Sequence, residues 1–264
     1  MSGPPERSRV AVLASGGGSN LQALLDHLAS LGDARAADVV LVLANHADAG
    51  ALARGASHGI ASETIRDTRD GDALLSRLDA QRVDLVVLAG YLRLVPRDVV
   101  ARFRGRMLNV HPALLPSFGG AGMYGARVHQ AVLDAGARVS GATVHFVDDK
   151  YDHGPVVAQW PVPVYATDFA ETLAHRVLRV EHLLLPRVVQ AVAAGRVTLA
   201  PDGSVVGPFR DGPPDAAFAL PLPLPAERDS AAADIDRILR EIPTTCALCS
   251  PSRTRRASST SPAA

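Results

Sequence analysis

The sequence contains little cysteine, no excess of either charge and no long apolar run. Its 264 residues include two cysteines, which excludes a disulfide framework and predicts a cytoplasmic protein. Lys plus Arg and Asp plus Glu both total 27, so no basic excess favours nucleic acid or an anionic membrane as a partner. No uninterrupted apolar stretch reaches the ~18 residues of a membrane helix. These features favour a soluble protein, and they leave a monomer and a homodimer open.

The two cysteines, Cys246 and Cys249, form a single CxxC pair near the C-terminus. A zinc site within one chain needs a second pair of ligands, so an incidental pair is the preferred interpretation. Residues 208–264 also contain a PLPLP run and a Ser/Thr/Arg-rich end, which predict a linker, a short helix at residues 231–242 and a disordered tail. Residues 1–8 are predicted to form a flexible leader, which leaves residues 9–207 as one domain.

Apolar residues are abundant, at 47% of the total, and they are arranged in short runs. The first run ends at glycines and is followed by four leucines between residues 21 and 28, at the spacing of one helix face. Strand and helix patterns then alternate, and strands separated by helices predict an α/β fold with an open, mostly parallel, doubly wound, Rossmann-like sheet. The predicted strands of this part are residues 9–14, 39–43, 60–65, 85–88 and 107–110, and the predicted helices are residues 20–29, 51–58 and 72–80.

The pattern changes after residue 111. Residues 112–125 are rich in proline and glycine and predict a long ordered loop. Residues 128–135 and 172–194 carry helix patterns. Two apolar strands, at residues 141–147 and 156–164, are joined by the acidic turn DDKYDHG. Because so short a turn joins antiparallel strands, the sheet is predicted to end in a C-terminal antiparallel extension.

The glycine-rich segment of residues 15–20, SGGGSN, lies between the first predicted strand and helix. Backbone N–H groups of such a loop, together with the helix N-terminus, can hold a phosphate. The segment matches neither the GxGxxG motif of dinucleotide sites nor the GK[ST] motif of NTP-binding loops. The alternative is a plain turn in which Ser19 caps the helix. Ser19 and Asn20 favour phosphate binding, since both can also donate to phosphate or ribose oxygens.

Asn109 and His111 are placed two residues apart at the carboxyl end of a predicted strand. Their spacing puts both side chains on one side of the sheet, at the edge where open α/β folds bind ligands. An amide beside an imidazole is suited to stabilise an oxygen that becomes negative during acyl transfer. The alternative is that Asn109 forms a turn and His111 merely ends the strand.

Asp152 lies in the acidic turn between the last two predicted strands. A carboxylate near His111 would favour the protonated, donating form of its ring and could pass a proton through water. Two alternatives are a solvated acidic hairpin and a hard-cation site. The turn lacks the glycine and the glutamate of an EF-hand loop, so no metal is expected.

Five segments together resemble the glycinamide ribonucleotide formyltransferases of purine biosynthesis. In chain order they are ASGGGSNLQALLD, LAGYLRLV, MLNVHPALLPSF, GATVHFVDDKYDHGPVVAQWPVPV and RVEHLLLP. The third and fourth also occur in methionyl-tRNA formyltransferase and formyltetrahydrofolate deformylase, so they indicate folate-formyl chemistry without fixing the acceptor. The serine-glycine loop resembles the one that holds the ribonucleotide phosphate. The other two enzymes would carry an additional N-terminal or a basic C-terminal domain, and neither is expected here.

The resemblance implies the formyltransferase fold for residues 9–207 and 10-formyltetrahydrofolate as co-substrate, with no metal. Formyl transfer to the amine of 5′-phosphoribosylglycinamide is the implied reaction, and the alternatives are a deformylase or another amine acceptor. The implied catalytic residues are Asn109, His111 and Asp152. The implied ribonucleotide contacts are Gly18, Ser19, Asn20 and Glu181. The implied folate contacts are Arg69, Leu92, Arg93, Leu94, Val95, Asn109, Asp148, Asp149 and Asp152.

The loop after LLPSF and His145 each leave two interpretations open. The loop after LLPSF reads GGAGMYG where many family members have a Pro-Gly turn, and its effect on folate binding stays open, as does contact of Met123 and Tyr124 with the folate. His145 alternates with apolar neighbours, which favours a buried core histidine over one that orients the active site.

Overall fold

A computed structural model describes residues 6–207, so the predicted tail helix at residues 231–242 and the Cys246–Cys249 pair lie outside the described residues. The strands are β1 (Ser8–Ala14), β2 (Ala37–Ala44), β3 (Ala61–Thr64), β4 (Leu85–Leu88), β5 (Met107–His111), β6 (Val139–Phe146), β7 (Val156–Pro163), β8 (Thr198–Leu199) and β9 (Val205–Val206). The helices are α1 (Ser19–Ser30), α2 (Gly50–Ser57), α3 (Gly71–Ala80), α4 (Arg97–Arg102), α5 (Ala126–Asp134) and α6 (Ala170–Ala193).

Seven strands form one sheet in the order β3-β2-β1-β4-β5-β6-β7. The first five are parallel to one another, whereas β6 and β7 pair in the antiparallel sense. The predicted mostly parallel α/β sheet with an antiparallel C-terminal extension is therefore confirmed. The strand order reverses at β1, which lies between β2 and β4, and the crevice at such a reversal is where open α/β sheets bind ligands.

Apolar side chains cover both faces of the sheet, as the unalternating strand patterns predict. On one face, strand residues such as Val12 pack with Leu21 of α1 and Leu184 of α6, all three fully buried. On the other face, Leu13 packs in a second cluster with Leu78 of α3 and Phe103 after α4. Within residues 6–207, no helix combines the length and apolarity needed to cross a membrane.

Three short elements are absent from the sequence prediction. Helix α4 has six residues, of which two are buried, and β8 and β9 have two residues each and form a separate antiparallel pair. Segments this short do not complete two turns of a helix or several steps of strand alternation, so periodicity gives no signal for them.

An ion pair between Asp168 and Arg176 fixes the start of α6. Two guanidinium nitrogens of Arg176 donate to the two carboxylate oxygens of Asp168 at 2.6 and 2.8 Å, and Thr172 Oγ1 donates to the same carboxylate at 3.0 Å. The Arg176 guanidinium also lies 4.5 Å from the centre of the Tyr165 ring. The hydrogen bonds from Arg176, against the effect of burial, lower the pKa of Asp168 to about 2.

Replacing Arg176 with alanine is expected to reduce the free energy of unfolding at pH 7 by about 1–2 kcal/mol. Because the folded-state pKa of Asp168 is below its ordinary value, the stabilisation is present above about pH 4 and is lost as the pH falls towards 2. Urea unfolding at a series of pH values tests this, and a difference that is as large at pH 2 as at pH 7 would contradict it. Arg102→Ala, at an exposed pair with Asp79 3.7 Å away, is the control and is expected to cost less than about 0.5 kcal/mol.

Candidate active site

The glycine loop joins β1 to α1 at the reversal of strand order. Gly18 occupies the N-cap position in a left-handed conformation with φ 76°, and no side chain of the described residues caps the helix. Ser19 is thus the first helical residue, which does not match the alternative of a turn capped by Ser19. The backbone N–H groups of residues 17–20 find no acceptor among residues 6–207. The loop therefore offers a set of unpaired donors at a helix N-terminus, an arrangement that suits an anion.

Asn20 and Glu181 come together although 161 residues separate them in sequence. Asn20 Nδ2 donates to Glu181 Oε2 at 2.7 Å, and both residues are buried, at 8% and 7% exposed. Burial raises the pKa of Glu181, against the hydrogen bond from Asn20. Asn20 Oδ1 is buried without a hydrogen-bond partner in the described part of the chain. A buried acceptor without a partner is costly, so this atom is available to a ligand donor.

Asn109, His111 and Asp152 also meet. The side chains of Asn109 and His111 leave β5 on one side, and Asp152 approaches them from the turn between β6 and β7. His111 Nδ1 lies 3.4 Å from Asp152 Oδ2, and Asn109 Nδ2 donates to Asp152 Oδ1 at 3.3 Å. The sequence prediction that these three residues share one place thus agrees with the geometry, and the roles assigned to them stay predictions.

The second nitrogen of His111 is held by the backbone. His111 Nε2 lies 2.8 Å from the carbonyl oxygen of Phe118, in the loop that follows β5. A carbonyl oxygen only accepts, so Nε2 carries a hydrogen in both the neutral and the charged ring. The neutral and the charged ring therefore differ in the hydrogen on Nδ1, and this nitrogen faces Asp152. Phe118 has φ 57°, a left-handed conformation that is uncommon for an aromatic residue and that aims its carbonyl at the ring.

The carboxyl group of Asp152 is held in its ionised form. Burial by itself raises the pKa of Asp152, but the hydrogen bond and charge of His111 and the N–H of Gly120 outweigh it, and the net pKa is lowered. Gly120 N donates to Asp152 Oδ2 at 3.0 Å. The ionised Oδ2 of Asp152 thus faces Nδ1 of His111 at 3.4 Å.

His145 is both a core residue and a partner of Asn109. It is 2% exposed, and its Nδ1 donates to the Phe146 carbonyl at 2.8 Å. Its Nε2 therefore accepts from Asn109 Nδ2 at 3.1 Å. Burial lowers the pKa of His145, against the Phe146 hydrogen bond and the charge of Asp152, so the ring is neutral. The alternation pattern indicated its burial but not its contact with Asn109.

Two cavities adjoin the trio of Asn109, His111 and Asp152. The larger, about 550 Å³, reaches from His111 to Glu181 and is walled by Leu92, by Met123 and Tyr124, and by the α6 face. The smaller, about 50 Å³, adjoins the other side of Asn109 and Asp152. It is lined in part by the predicted folate residues Arg93, Leu94, Val95 and Asp148.

Two of the predicted folate residues lie elsewhere. Arg69 lines neither cavity, and its side chain is 92% exposed beside Asp67. It follows β3, the edge strand, which three strands separate from β5. Asp149 faces a different groove, with its carboxylate 3.8 Å from Arg97.

His129 is a cavity residue to which the sequence analysis assigned no role. It is 4% exposed, and its Nδ1 is buried without a partner in the described part of the chain. Burial first, and then the charge of His111, lower the pKa of His129 to about 4, so the ring is neutral at pH 7. Glu171 and His175 of α6 also line the cavity, at the four-residue spacing of a helix face. Within residues 6–207, no group of three or more His, Cys, Asp or Glu side chains is placed to hold a metal ion.

Comparison with known proteins identifies the family to which this site belongs. Residues 8–189 match the family described as formyl transferase. The chloroplastic phosphoribosylglycinamide formyltransferase of Arabidopsis thaliana is 44% identical over 206 residues, which are 75% of this chain and 70% of the relative. The chain belongs to the phosphoribosylglycinamide formyltransferases. The enzyme of the same name from Vigna unguiculata is 41% identical over 213 residues, 78% of this chain and 68% of its own.

A solved structure of this family has the same fold. The phosphoribosylglycinamide formyltransferase of Anaplasma phagocytophilum superposes with a TM-score of 0.70 at 33% identity, over 82% of this chain and all of the other. The family match at residues 8–189 includes the glycine loop, the trio and Glu181, so all elements of the candidate site lie within it.

Proposed function

We propose that this protein transfers the formyl group of 10-formyltetrahydrofolate to the amine of 5′-phosphoribosylglycinamide, a step of de novo purine biosynthesis. The observation that carries the proposal is that the Asn109–His111–Asp152 trio shares one cavity with Glu181, which in turn binds Asn20 beside the glycine loop. One ligand can therefore contact the loop donors with its phosphate and present an amine to the trio. A cytoplasmic location, a monomeric or dimeric state and a single domain at residues 9–207 stay predictions.

The acceptor is held at three points. Its phosphate accepts from the N–H groups of Gly18, Ser19 and their neighbours, where the helix N-terminus adds positive charge. A ribose hydroxyl or the glycinamide nitrogen donates to the unpartnered Asn20 Oδ1 and to the Glu181 carboxyl group. The acceptor is thereby placed with its amine towards His111.

The donor is held on the other side of the trio. The pterin of the folate lies against Leu92, which lines the larger cavity, and against Arg93, Leu94 and Val95, which line the smaller one. Backbone groups of Asp148 and Asp152 close over it. Leu92, Leu94 and Val95 offer apolar side chains to the ring, while Arg93 and the acidic turn offer the polar groups that fix its orientation. Arg69 and Asp149 are not part of this proposal, since neither residue lines either cavity.

The chemistry follows from the hydrogen bonds of the trio. As the amine attacks the formyl carbon, the formyl oxygen becomes negative and replaces Asp152 as acceptor of the long 3.3 Å bond from Asn109 Nδ2. The protonated Nδ1 of His111 stabilises this oxygen and then gives its proton to the folate nitrogen that leaves. Asp152, whose Oδ2 lies 3.4 Å from Nδ1 of His111, takes through a water molecule the proton that the amine loses.

An assay of the full chain tests the reaction. Purified protein is incubated with 10-formyltetrahydrofolate, with and without 5′-phosphoribosylglycinamide, and both tetrahydrofolate and the formylated ribonucleotide are measured. We expect equal amounts of the two products and no folate turnover above background without the ribonucleotide. Formation of tetrahydrofolate at the same rate with and without the ribonucleotide would instead indicate a deformylase. Absence of turnover in both reactions would refute formyl transfer.

A further inference from the structure

Three consecutive carbonyl groups of the glycine loop, those of Gly16, Gly17 and Gly18, each accept a hydrogen bond from within the protein. Ala51 N donates to Gly16 O at 3.1 Å, and Gln22 N donates to Gly18 O at 2.9 Å. Between them, Arg54 Nε donates to Gly17 O at 2.8 Å. Two of these donors are backbone groups at the starts of α1 and α2, and Arg54 supplies the one that is a side chain.

The held carbonyls fix the directions of the free N–H groups. The peptides that follow Gly16, Gly17 and Gly18 are trans, and in a trans peptide the C=O and N–H bonds point in opposite directions. The N–H groups of Gly17, Gly18 and Ser19 therefore point away from the donors that hold the carbonyls. These three N–H groups have no acceptor among residues 6–207. The carbonyl side of the loop is occupied, whereas its N–H side is open.

Helix α2 is packed directly against this loop. A Cβ atom on Gly18 would lie 2.7 Å from Ala51 Cα, and one on Gly50 would lie 3.1 Å from Gly17 Cα. Arg54 reaches the loop from the next turn of α2, and its Nη1 also donates to Gln22 Oε1 at 3.3 Å. Within the described part of the chain, no carboxylate lies within 4.0 Å of the Arg54 guanidinium. Its charge is thus not neutralised by an acidic neighbour and lies one peptide unit from the open N–H side.

We infer that Arg54 is a positioning residue for the acceptor's phosphate: it fixes the Gly17–Gly18 peptide with its N–H towards the ligand and adds positive charge behind the loop. The inference rests on the proposed function, because it requires an acceptor that carries a phosphate on this loop. Arg54 then contributes selectively to the binding of phosphorylated acceptors. It makes no contribution to the formyl transfer step, which takes place at the trio.

Kinetics with two acceptors test this role. The wild-type protein and Arg54→Ala are assayed with 5′-phosphoribosylglycinamide and with glycinamide riboside, which is the same amine without the phosphate. We expect Arg54→Ala to raise KM for the ribonucleotide about tenfold or more, with kcat and the folate KM changed by less than about twofold. For the riboside, kcat/KM should differ by less than about twofold between the two proteins. Arg54→Lys, which retains a charged donor, should recover most of the lost affinity.

The control is Arg104→Ala, which removes an exposed arginine just before β5. Arg104 lies at the amino ends of the parallel strands, whereas the glycine loop lies at their carboxyl ends. Arg104→Ala should leave kcat, KM for the ribonucleotide, KM for the folate and kcat/KM for the riboside unchanged. An equal loss on both acceptors in Arg54→Ala, or no loss on either, would overturn the inference while leaving the phosphate site in place. Wild-type protein that uses the riboside as well as the ribonucleotide would overturn the proposed phosphate site itself, and the role of Arg54 with it.

Discussion

Replacing His111 with alanine is expected to lower kcat by about three orders of magnitude and to leave the Kd for the ribonucleotide within about twofold. The ring supplies both the charge that stabilises the developing oxyanion and the proton that the folate nitrogen needs. Its Nε2 is fixed by the Phe118 carbonyl and its Nδ1 faces Asp152, and an alanine side chain provides neither nitrogen. The loop donors are provided by other elements, and they bind the phosphate without the ring.

Single-turnover kinetics and ribonucleotide titration by calorimetry measure the two quantities separately. Asp152→Asn should lower kcat by a similar factor, and the double variant should be little worse than either single one, because the two residues act as a unit. His58→Ala, at an exposed histidine after α2, is the control and should retain wild-type rates. A His111→Ala protein with rates near those of the wild type would refute the role of the ring.

Replacing Gly18 with alanine is expected to weaken ribonucleotide binding by about 30-fold or more. Gly18 has φ 76°, and a Cβ there would meet Ala51 Cα at 2.7 Å and Ala51 N at 3.3 Å. These are backbone atoms that no side-chain rotation can move, so the loop must shift away from α2. The N–H groups that hold the phosphate then lose their common direction.

Gly59→Ala is the matched control for Gly18→Ala. Gly59 has φ 70° as well, but a Cβ there would meet no atom of residues 6–207 within 4 Å. It carries the same backbone strain, about 1 kcal/mol, without displacing the loop. Both variants should therefore lose a few degrees of Tm, whereas only Gly18→Ala should lose affinity, as measured by titration with the ribonucleotide. Equal ribonucleotide affinity in the two variants would contradict the role of the loop.

Much of the fold was predictable from local pattern. The apolar runs of β1, β2 and β4 are buried on both faces, and such strands occur in parallel sheets. The glycines after β1 and the leucines of α1 likewise mark a strand, a turn and a helix. The pattern of α4, β8 and β9 is too short to be distinguished from loop, and these elements depend on packing against their neighbours.

The candidate site was predictable in part, and for two different reasons. The two-residue spacing of Asn109 and His111 already places both on one side of a strand end. The grouping of Glu181 and the glycine loop with them came from resemblance to the family, since no local pattern connects segments so far apart. Asp152 was first placed beside His111 as a hypothesis, from the chemistry of a carboxylate next to an imidazole. Of the contacts that orient the groups, that of the Phe118 carbonyl with His111 had no signal in the sequence. The contact of Asn109 with His145 corresponds to the less favoured of the two alternatives for His145.

The sequence by itself determined which segments form strands and helices, which side of β5 bears Asn109 and His111, and that a flexible glycine turn begins α1. The tertiary structure decided which of these segments meet. Sheet order places β1 beside β4 and β4 beside β5, and the packing of α6 on α1 brings Glu181 to Asn20. The reason is physical: backbone periodicity depends on neighbours within a few residues, whereas strand order and helix packing depend on burial summed over the whole domain.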